Sequence, residues 1–314
     1  MIWLYFLIFI VSCLILVRSG TWIVQALSRI AKFLGWSEFI VAFLLMAFVS
    51  SLPELFVGIS SALHQLPAIS FGNIIGANVI NLTLAVGLAV LFLGGLEIER
   101  KIVVRDSLFT ALAALLPLIL ILDRELSRVD GLILILGFIL YISWLFAQKE
   151  RFSRVYNTNV PHSFRQFFKD IMIFLVSVAL LLLSAELVIR SAIIFAEALN
   201  TPAVVIGILL IGAGTALPEA YFSIRAALRG KKEMILGNLM GCIIITSLLV
   251  LGFVALISPI KIIDFSSYLL ARIFLLVSVI CFLVFIRTSA KISKKEALFL
   301  LLIYIAFVVV ELLV

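Results

Sequence analysis

Ten stretches of this chain are apolar over a length that can cross the roughly 30 Å hydrocarbon core of a bilayer. They fall at 1–17, 39–62, 69–94, 107–122, 129–147, 171–189, 203–228, 233–257, 267–286 and 296–314. In hydrocarbon each backbone amide and carbonyl must be satisfied within the protein, so such stretches fold as helices. The expected fold is therefore an all-α polytopic membrane protein with ten transmembrane helices. Of 314 residues, 65% are hydrophobic and 13% charged, and the mean hydropathy is +1.32, far from a soluble domain. The first 17 residues carry no charge before Arg18, so they lack the basic start of a signal peptide and read as a retained first helix. Segments 18–38 and 183–200 are mixed in polarity, which extends the first and sixth helices as long tilted or interfacial helices.

Basic residues orient the bundle. Alternate connections hold Arg29 and Lys32; Arg100, Lys101 and Arg105; Lys149, Arg151, Arg154, Arg165 and Lys169; Arg225, Arg229, Lys231 and Lys232; and Arg287, Lys291, Lys294 and Lys295. The opposite connections hold Arg124, Arg128, Arg190 and Lys261. The expected placement is a multi-pass protein of the cell membrane with both termini outside and the 148–169 loop in the cytoplasm. The net charge of +7 follows from this segregation, so no nucleic-acid partner is expected.

The chain repeats itself. At an offset of 219 − 54 = 165 residues, Leu52, Pro53 and Glu54 match Leu217, Pro218 and Glu219, and Ser50 matches Thr215. The same offset superposes Gly72, Asn73 and Gly76 on Gly237, Asn238 and Gly241, and Gly87 on Gly252. Residues 1–147 then form one five-helix repeat, 148–169 the cytoplasmic connection, and 170–314 the second repeat. Five is odd, so the second copy enters the membrane from the other side. Inverted repeats with polar sites on interrupted helices are the plan of many secondary transporters.

Glu54 and Glu219 lie deep in apolar runs, where a carboxylate costs several kcal/mol, about 3 or more, unless something compensates it. A cation is the expected compensation. Pro53 and Pro218 each remove a backbone donor, which is expected to free carbonyls near Ala47 and Gly212. Beside them stand the hydroxyls of Ser50, Ser51 and Thr215. Calcium takes six to eight such hard oxygens, with carboxylates supplying charge. Nothing in the Leu-Pro-Glu motif offers a soft ligand, which speaks against zinc, copper or iron. Cys13, Cys242 and Cys281 have neither paired nor CxxC spacing, so neither a disulfide framework nor a zinc site is expected. The plainer reading of each hydroxyl is a bond to its own i−4 carbonyl, and of each proline a kink.

The Gly72-Asn73-x-x-Gly76 and Gly237-Asn238-x-x-Gly241 phrases have the small-xxx-small spacing of closely packed helices. Asn73 and Asn238 are expected to clamp the broken helices by hydrogen bonds. Asn81, two turns beyond Asn73, sits on roughly the same face, where its amide oxygen could complete a cation shell. Asn78 faces elsewhere and reads as packing or capping.

These paired phrases resemble the two α-repeats of the calcium/cation antiporter superfamily, and most closely its prokaryotic sodium/calcium exchangers. The likeness covers about 39–90 and 203–255. It implies an antiporter that exchanges calcium for sodium by alternating access, with ions held between helices 2, 3, 7 and 8. It also implies Glu54 and Glu219 as shared carboxylate ligands, Ser50, Ser51 and Thr215 as hydroxyl ligands, and Asn81 as the completing oxygen. Ala47 and Gly212 would give their carbonyls, and helices 1 and 6 would form the moving pair. The family commonly has serine where this chain has Ala77, Ala216 and Cys242, and an acid where it has Thr246, which keeps an oxygen but no charge. The coupling ion is thereby left open between sodium, protons and another cation. The resemblance implies no enzyme activity and no cofactor, with calcium, sodium and the lipid bilayer as partners and a monomer as the working unit.

A membrane-embedded hydrolase would need a nucleophile beside a base. The two histidines, His64 and His162, fall in expected loops on opposite sides, where solvation is the ordinary reading. A lipid-modifying transferase would place its acidic and basic groups at the interface. A passive cation channel is the nearer rival. Glu186 and Arg190, four apart, are expected to form a helical ion pair.

Overall fold

The computed structural model describes residues 2–33, 46–97, 100–147, 164–199, 202–228, 230, 232–262, 265–289 and 291–313. The described chain is helical apart from four two-residue strands and the short turns between elements. Among the described residues eight helical runs are long and apolar enough to cross a membrane, nine if a bent pair counts as one span. That pair, Val204–Leu217 and Glu219–Leu228, bends by 41° around Pro218. The expected second span, 39–62, lies partly outside the described residues. Its described part is α2 (Met46–Ser50) and α3 (Leu52–Leu63), separated at Ser51.

Helix α1 (Ile2–Phe33) has 32 residues. Helix α4 (Pro67–Ile80) opens on a proline, favoured there because the missing N–H is one of the unpaired first-turn donors. It runs through a π-helical turn, Asn81–Ala85, into α5 (Val86–Leu93), which ends on left-handed Gly94, φ +79°. Strand β1 (Leu96–Glu97), α6 (Arg100–Leu120), β2 (Glu125–Leu126) and α7 (Arg128–Phe146) complete the first half. The second half begins with α8 (Phe164–Leu199), 36 residues long. Residues 164–169, expected within the connecting loop, are its first turns, and 148–163 lie outside the described residues.

Next come α9 (Ala203–Ile206), a π-helical turn Gly207–Ile211 and α10 (Gly212–Leu228). Helix α11 (Lys232–Ile244) passes through a third π-helical turn, Ile245–Val250, into α12 (Leu251–Ile257). Strand β3 (Ile260–Lys261), α13 (Phe265–Ser289), β4 (Lys291–Ile292) and α14 (Lys294–Leu313) close the chain.

The 165-residue spacing recurs in these elements to within a residue. The turn at Asn81–Ala85 matches that at Ile245–Val250, β1 matches β3, and β2 matches β4. Each strand pairs antiparallel with the other strand's counterpart in the opposite half: Leu96 with Ile292, and Leu126 with Ile260. Reciprocal capping boxes start α7, between Ser127 and Asp130, and α14, between Ser293 and Glu296.

Helices α1 and α8 lie antiparallel. Phe9 meets Phe195 edge-on at 5.6 Å near one end, and Arg29 Nε reaches Asp170 Oδ1 at 2.6 Å near the other. At 1.5 Å per residue both exceed the hydrocarbon thickness, as their mixed-polarity extensions led one to expect. The runs Pro67–Leu93 and Ile235–Ile257 are buried over most of their length and form the centre of the bundle. The periphery is apolar outward. Leu132, Leu136 and Leu140 form an exposed apolar stripe on α7, an arrangement that suits a lipid-facing surface.

Candidate cation site

The centre is built where the short helices break. Pro53 stands at the second position of α3, and Ser51, at φ −85° and ψ 0°, joins α2 to α3. Across from it, Pro218 sits at the bend of α10. The glycines let these segments meet. A methyl group added at Gly72 would collide with the Val204 carbonyl oxygen, one at Gly76 with that of Ile208, and one at Gly207 with that of Ile69. Backbone thus touches backbone between α4 and the Ala203–Ile211 segment, as the small-xxx-small spacing anticipates. Gly241 likewise accommodates the Ala47 side chain.

Glu54 is 1% exposed and Glu219 fully buried. They lie near enough to feel each other's charge, Glu54 beside the Thr215 hydroxyl and Glu219 beside that of Ser50. The Thr215 proton is directed at Asn73 Oδ1, 2.9 Å away, and both oxygens of Glu54 lack hydrogen-bond partners. Ser50 makes the matching but longer contact to Asn238 Oδ1, 3.4 Å, and lies 3.2 Å from the Ala47 carbonyl. Each asparagine expected to act as a clamp thus binds a hydroxyl of the opposite half.

The Ala47 carbonyl departs from expectation. It keeps its helical partner, the Ser51 N–H at 3.2 Å, and accepts the Ser51 hydroxyl at 2.8 Å. A proline at 53 deprives the carbonyl four residues back, that of Val49, so Ala47 is not freed. The bland reading of Ser51 is realised, yet a hydroxyl that spends its proton on its own helix keeps oxygen lone pairs for a cation. Gly212, which starts α10, is buried beside the backbone of Asn73 and Ala77.

Asn81 and Thr246 are equivalent under the repeat, and both lie in the matched π-turns, which re-aim side chains by one residue and are frequent at functional sites. Asn81 Oδ1 is buried without a partner. Thr246 donates to the Cys242 carbonyl at 2.9 Å and lies 3.3 Å from Asn78 Oδ1. Asn78, expected only to pack, also donates to Ser247 at 2.8 Å and so ties the two central spans together. Its polarity was the available signal, and its face alone argued against it.

Cys242 was visible in the sequence only as a missing serine. Its sulfur lies 3.3 Å from Ser51 Oγ and 3.6 Å from Glu219 Oε1. A soft atom therefore reaches the Glu219 carboxylate from α11, although the Leu-Pro-Glu motif itself has none. Among the described residues no three His, Cys, Asp or Glu side chains are grouped to hold a metal by themselves. A cation here would depend on hydroxyl, amide and carbonyl oxygens as well.

His64 is exposed in the turn after α3, as expected, and in addition has a protein partner. It caps α3, with Nε2 2.8 Å from Glu186 Oε1; Ser60 and Arg190 bind the same carboxylate at 2.6 and 2.7 Å. The anticipated Glu186–Arg190 pair is thus one arm of a bridge from α8 to α3. His162 lies outside the described residues.

A family profile described as sodium/calcium exchanger protein matches residues 4–147 and 169–313. The chain belongs to the sodium/calcium exchanger family. Sodium/calcium exchanger MaX1 of Methanosarcina acetivorans is 30% identical over 99% of both chains. Inner membrane protein YrbG of Escherichia coli is 27% identical over 90% of this chain and 89% of its own. The structure of the sodium-calcium exchanger NCX_Mj soaked with sodium and strontium superposes with a TM-score of 0.68 at 26% identity, covering 98% of this chain and 99% of that one. This exchanger-family chain is accordingly a multi-pass membrane protein of the cation exchange class, akin to transporters rather than enzymes.

Proposed function

We propose that this protein exchanges calcium for sodium across the cell membrane by alternating access, as a secondary active antiporter. The observation that carries the reading is the pair Glu54 and Glu219, buried at equivalent places of two repeats, with both Glu54 oxygens and Glu219 Oε2 lacking any hydrogen-bond partner. Two carboxylates balance one divalent ion, and the ion repays a desolvation cost that neither glutamate can repay alone. Ser50, Ser51, Thr215, Asn81 and Thr246 add side-chain oxygens and Gly212 its carbonyl, whereas the Ala47 carbonyl is already taken up by Ser51. Asn73, Asn238, Pro53 and Pro218 hold the broken helices around them.

The reading includes ten membrane helices in two inverted five-helix repeats, 1–147 and 170–314, with both termini outside. Its support is the exchange of strand partners between halves and the antiparallel α1 and α8, which lean on the broken helices through Gly20 beside Pro53 and Cys13 beside Gly214. Such a pair can slide as a unit while the centre alternates its access. All the proposed ligands come from one chain, which supports action as a monomer.

A proton-coupled calcium exchanger is the second reading. It is favoured by Ala77 and Ala216, which are buried at the centre without an oxygen, and by Thr246, whose hydroxyl proton is engaged. The test is calcium uptake into liposomes loaded with sodium. Uphill accumulation driven by the sodium gradient supports sodium coupling. Accumulation driven by a pH gradient alone moves the assignment to protons, and mere equilibration identifies a channel.

A further inference from the structure

We propose that Cys242 makes this centre a site for soft divalent cations of calcium's size, with cadmium as the representative, so that the exchanger binds cadmium as well as calcium. The inference rests on the reading of Glu54 and Glu219 as the transport centre.

The Cys242 sulfur is buried, 3.6 Å from Glu219 Oε1, 3.3 Å from Ser51 Oγ and 3.9 Å from Asn81 Nδ2. Two donors that share one ion through bonds of about 2.3–2.6 Å stand roughly 3.3–3.7 Å apart when at right angles. The sulfur and Glu219 Oε1 are already at that separation. A second observation points to a cation there independently of the thiol. Glu219 Oε2, both Glu54 oxygens and Asn81 Oδ1 are buried with no hydrogen-bond partner. Native proteins seldom leave such groups unsatisfied unless something binds them.

Calcium, a hard ion, gains little from sulfur and loses a hard oxygen wherever cysteine replaces a hydroxyl. Cadmium has nearly calcium's radius but is soft, so it gains most from the same exchange. Binding forms one sulfur–cadmium bond and breaks the sulfur–hydrogen bond, the proton leaving with the water the ion sheds. The other two cysteines lie elsewhere in the fold, Cys13 on α1 with its sulfur against Gly214 and Cys281 on α13, so a variant lacking both isolates the contribution of Cys242.

The full chain, reconstituted in liposomes, is titrated with cadmium while the ultraviolet sulfur-to-cadmium charge-transfer band is followed. The band is expected to saturate in the wild type and in a C13S/C281S variant, to be displaced by excess calcium, and to vanish in Cys242→Ser. In that variant the cadmium-over-calcium binding ratio should fall on the order of tenfold, at least what loss of a supporting outer-shell group costs a metal site. No band, a band that survives C242S, or a band that calcium does not displace overturns the inference. Sodium-driven calcium flux is measured on the same vesicles to separate the two claims. Flux without the band defeats the cadmium site and leaves the exchanger reading, whereas a calcium-displaced band without flux does the reverse.

Discussion

Thr215 in the second half donates a hydrogen bond to Asn73 in the first across 2.9 Å, and Ser50 and Asn238 form the matching contact at 3.4 Å with the halves exchanged. Each half therefore holds the hydroxyl of the other beside a buried glutamate. A movement that opened one contact would disturb the other, which couples the two broken helices mechanically.

Replacing Glu54 or Glu219 by glutamine should abolish calcium flux without unfolding the bundle. Neither Glu54 oxygen has a protein partner and Glu219 has only the weak Cys242 thiol on Oε1, so glutamine removes charge at the ion while sparing the packing. Thermal stability without ions should stay level or rise, because a buried unpaired carboxylate costs several kcal/mol, about 3. Flux in liposomes and melting in detergent check both halves of this expectation.

Asn73→Ala should lower stability by about 1 kcal/mol, the net value of a typical hydrogen bond. Calcium flux should fall further than stability does, because the Thr215 hydroxyl would be free to turn toward Glu54. Asn238→Ala, with the longer contact, should be milder on both counts. Melting and flux of the two variants, measured side by side, decide the order.

Gly72→Ala and Gly76→Ala should each cost about 1–3 kcal/mol or prevent folding, since the added methyl meets backbone rather than a side chain that can rotate away. Ala replacing Gly230, which has φ +68° but nothing within 4 Å, tests strain without collision and should be milder. Yield and melting temperature provide the comparison.

How much of this was legible follows from the kind of signal each feature leaves. The repeat and its glutamates are carried by residue identity at one offset, so 54, 219, 73 and 238 could be read directly. The long α1 and α8 announced themselves through mixed polarity. The π-turns at Asn81–Ala85 and Ile245–Val250 have no composition of their own, because a π-turn is an inserted residue within an ordinary helix. Strands of two residues leave no periodicity, and their partners lie in the other half. The Ser60–His64–Glu186 bridge joins α3 to α8 across 122 residues or more, beyond what local spacing reports. Cys242 looked like a loss until its neighbours in space were known.

At the β1–β4 clamp, Lys291 foremost and Lys232 second hold the Glu97 carboxyl below its ordinary range. A lowered folded-state value stabilises the protein above the unfolded carboxylate pKa, and that contribution disappears as pH falls through the lowered value. Glu97 is fully exposed, so the effect is small. The melting temperature of Glu97→Gln should lie slightly below that of wild type at neutral pH and merge with it in acid. A difference that grows toward low pH would show that the clamp does not depend on this charge.

The measurement that bears most directly on the central claim is the anomalous diffraction of crystals grown with strontium, a heavier analogue of calcium. The account predicts one divalent peak within coordination distance of both Glu54 and Glu219, about 2.3–2.6 Å from oxygen for calcium itself, which weakens as sodium is raised. A peak bound to one glutamate alone, or placed elsewhere in the bundle with both carboxylates left bare, would contradict it.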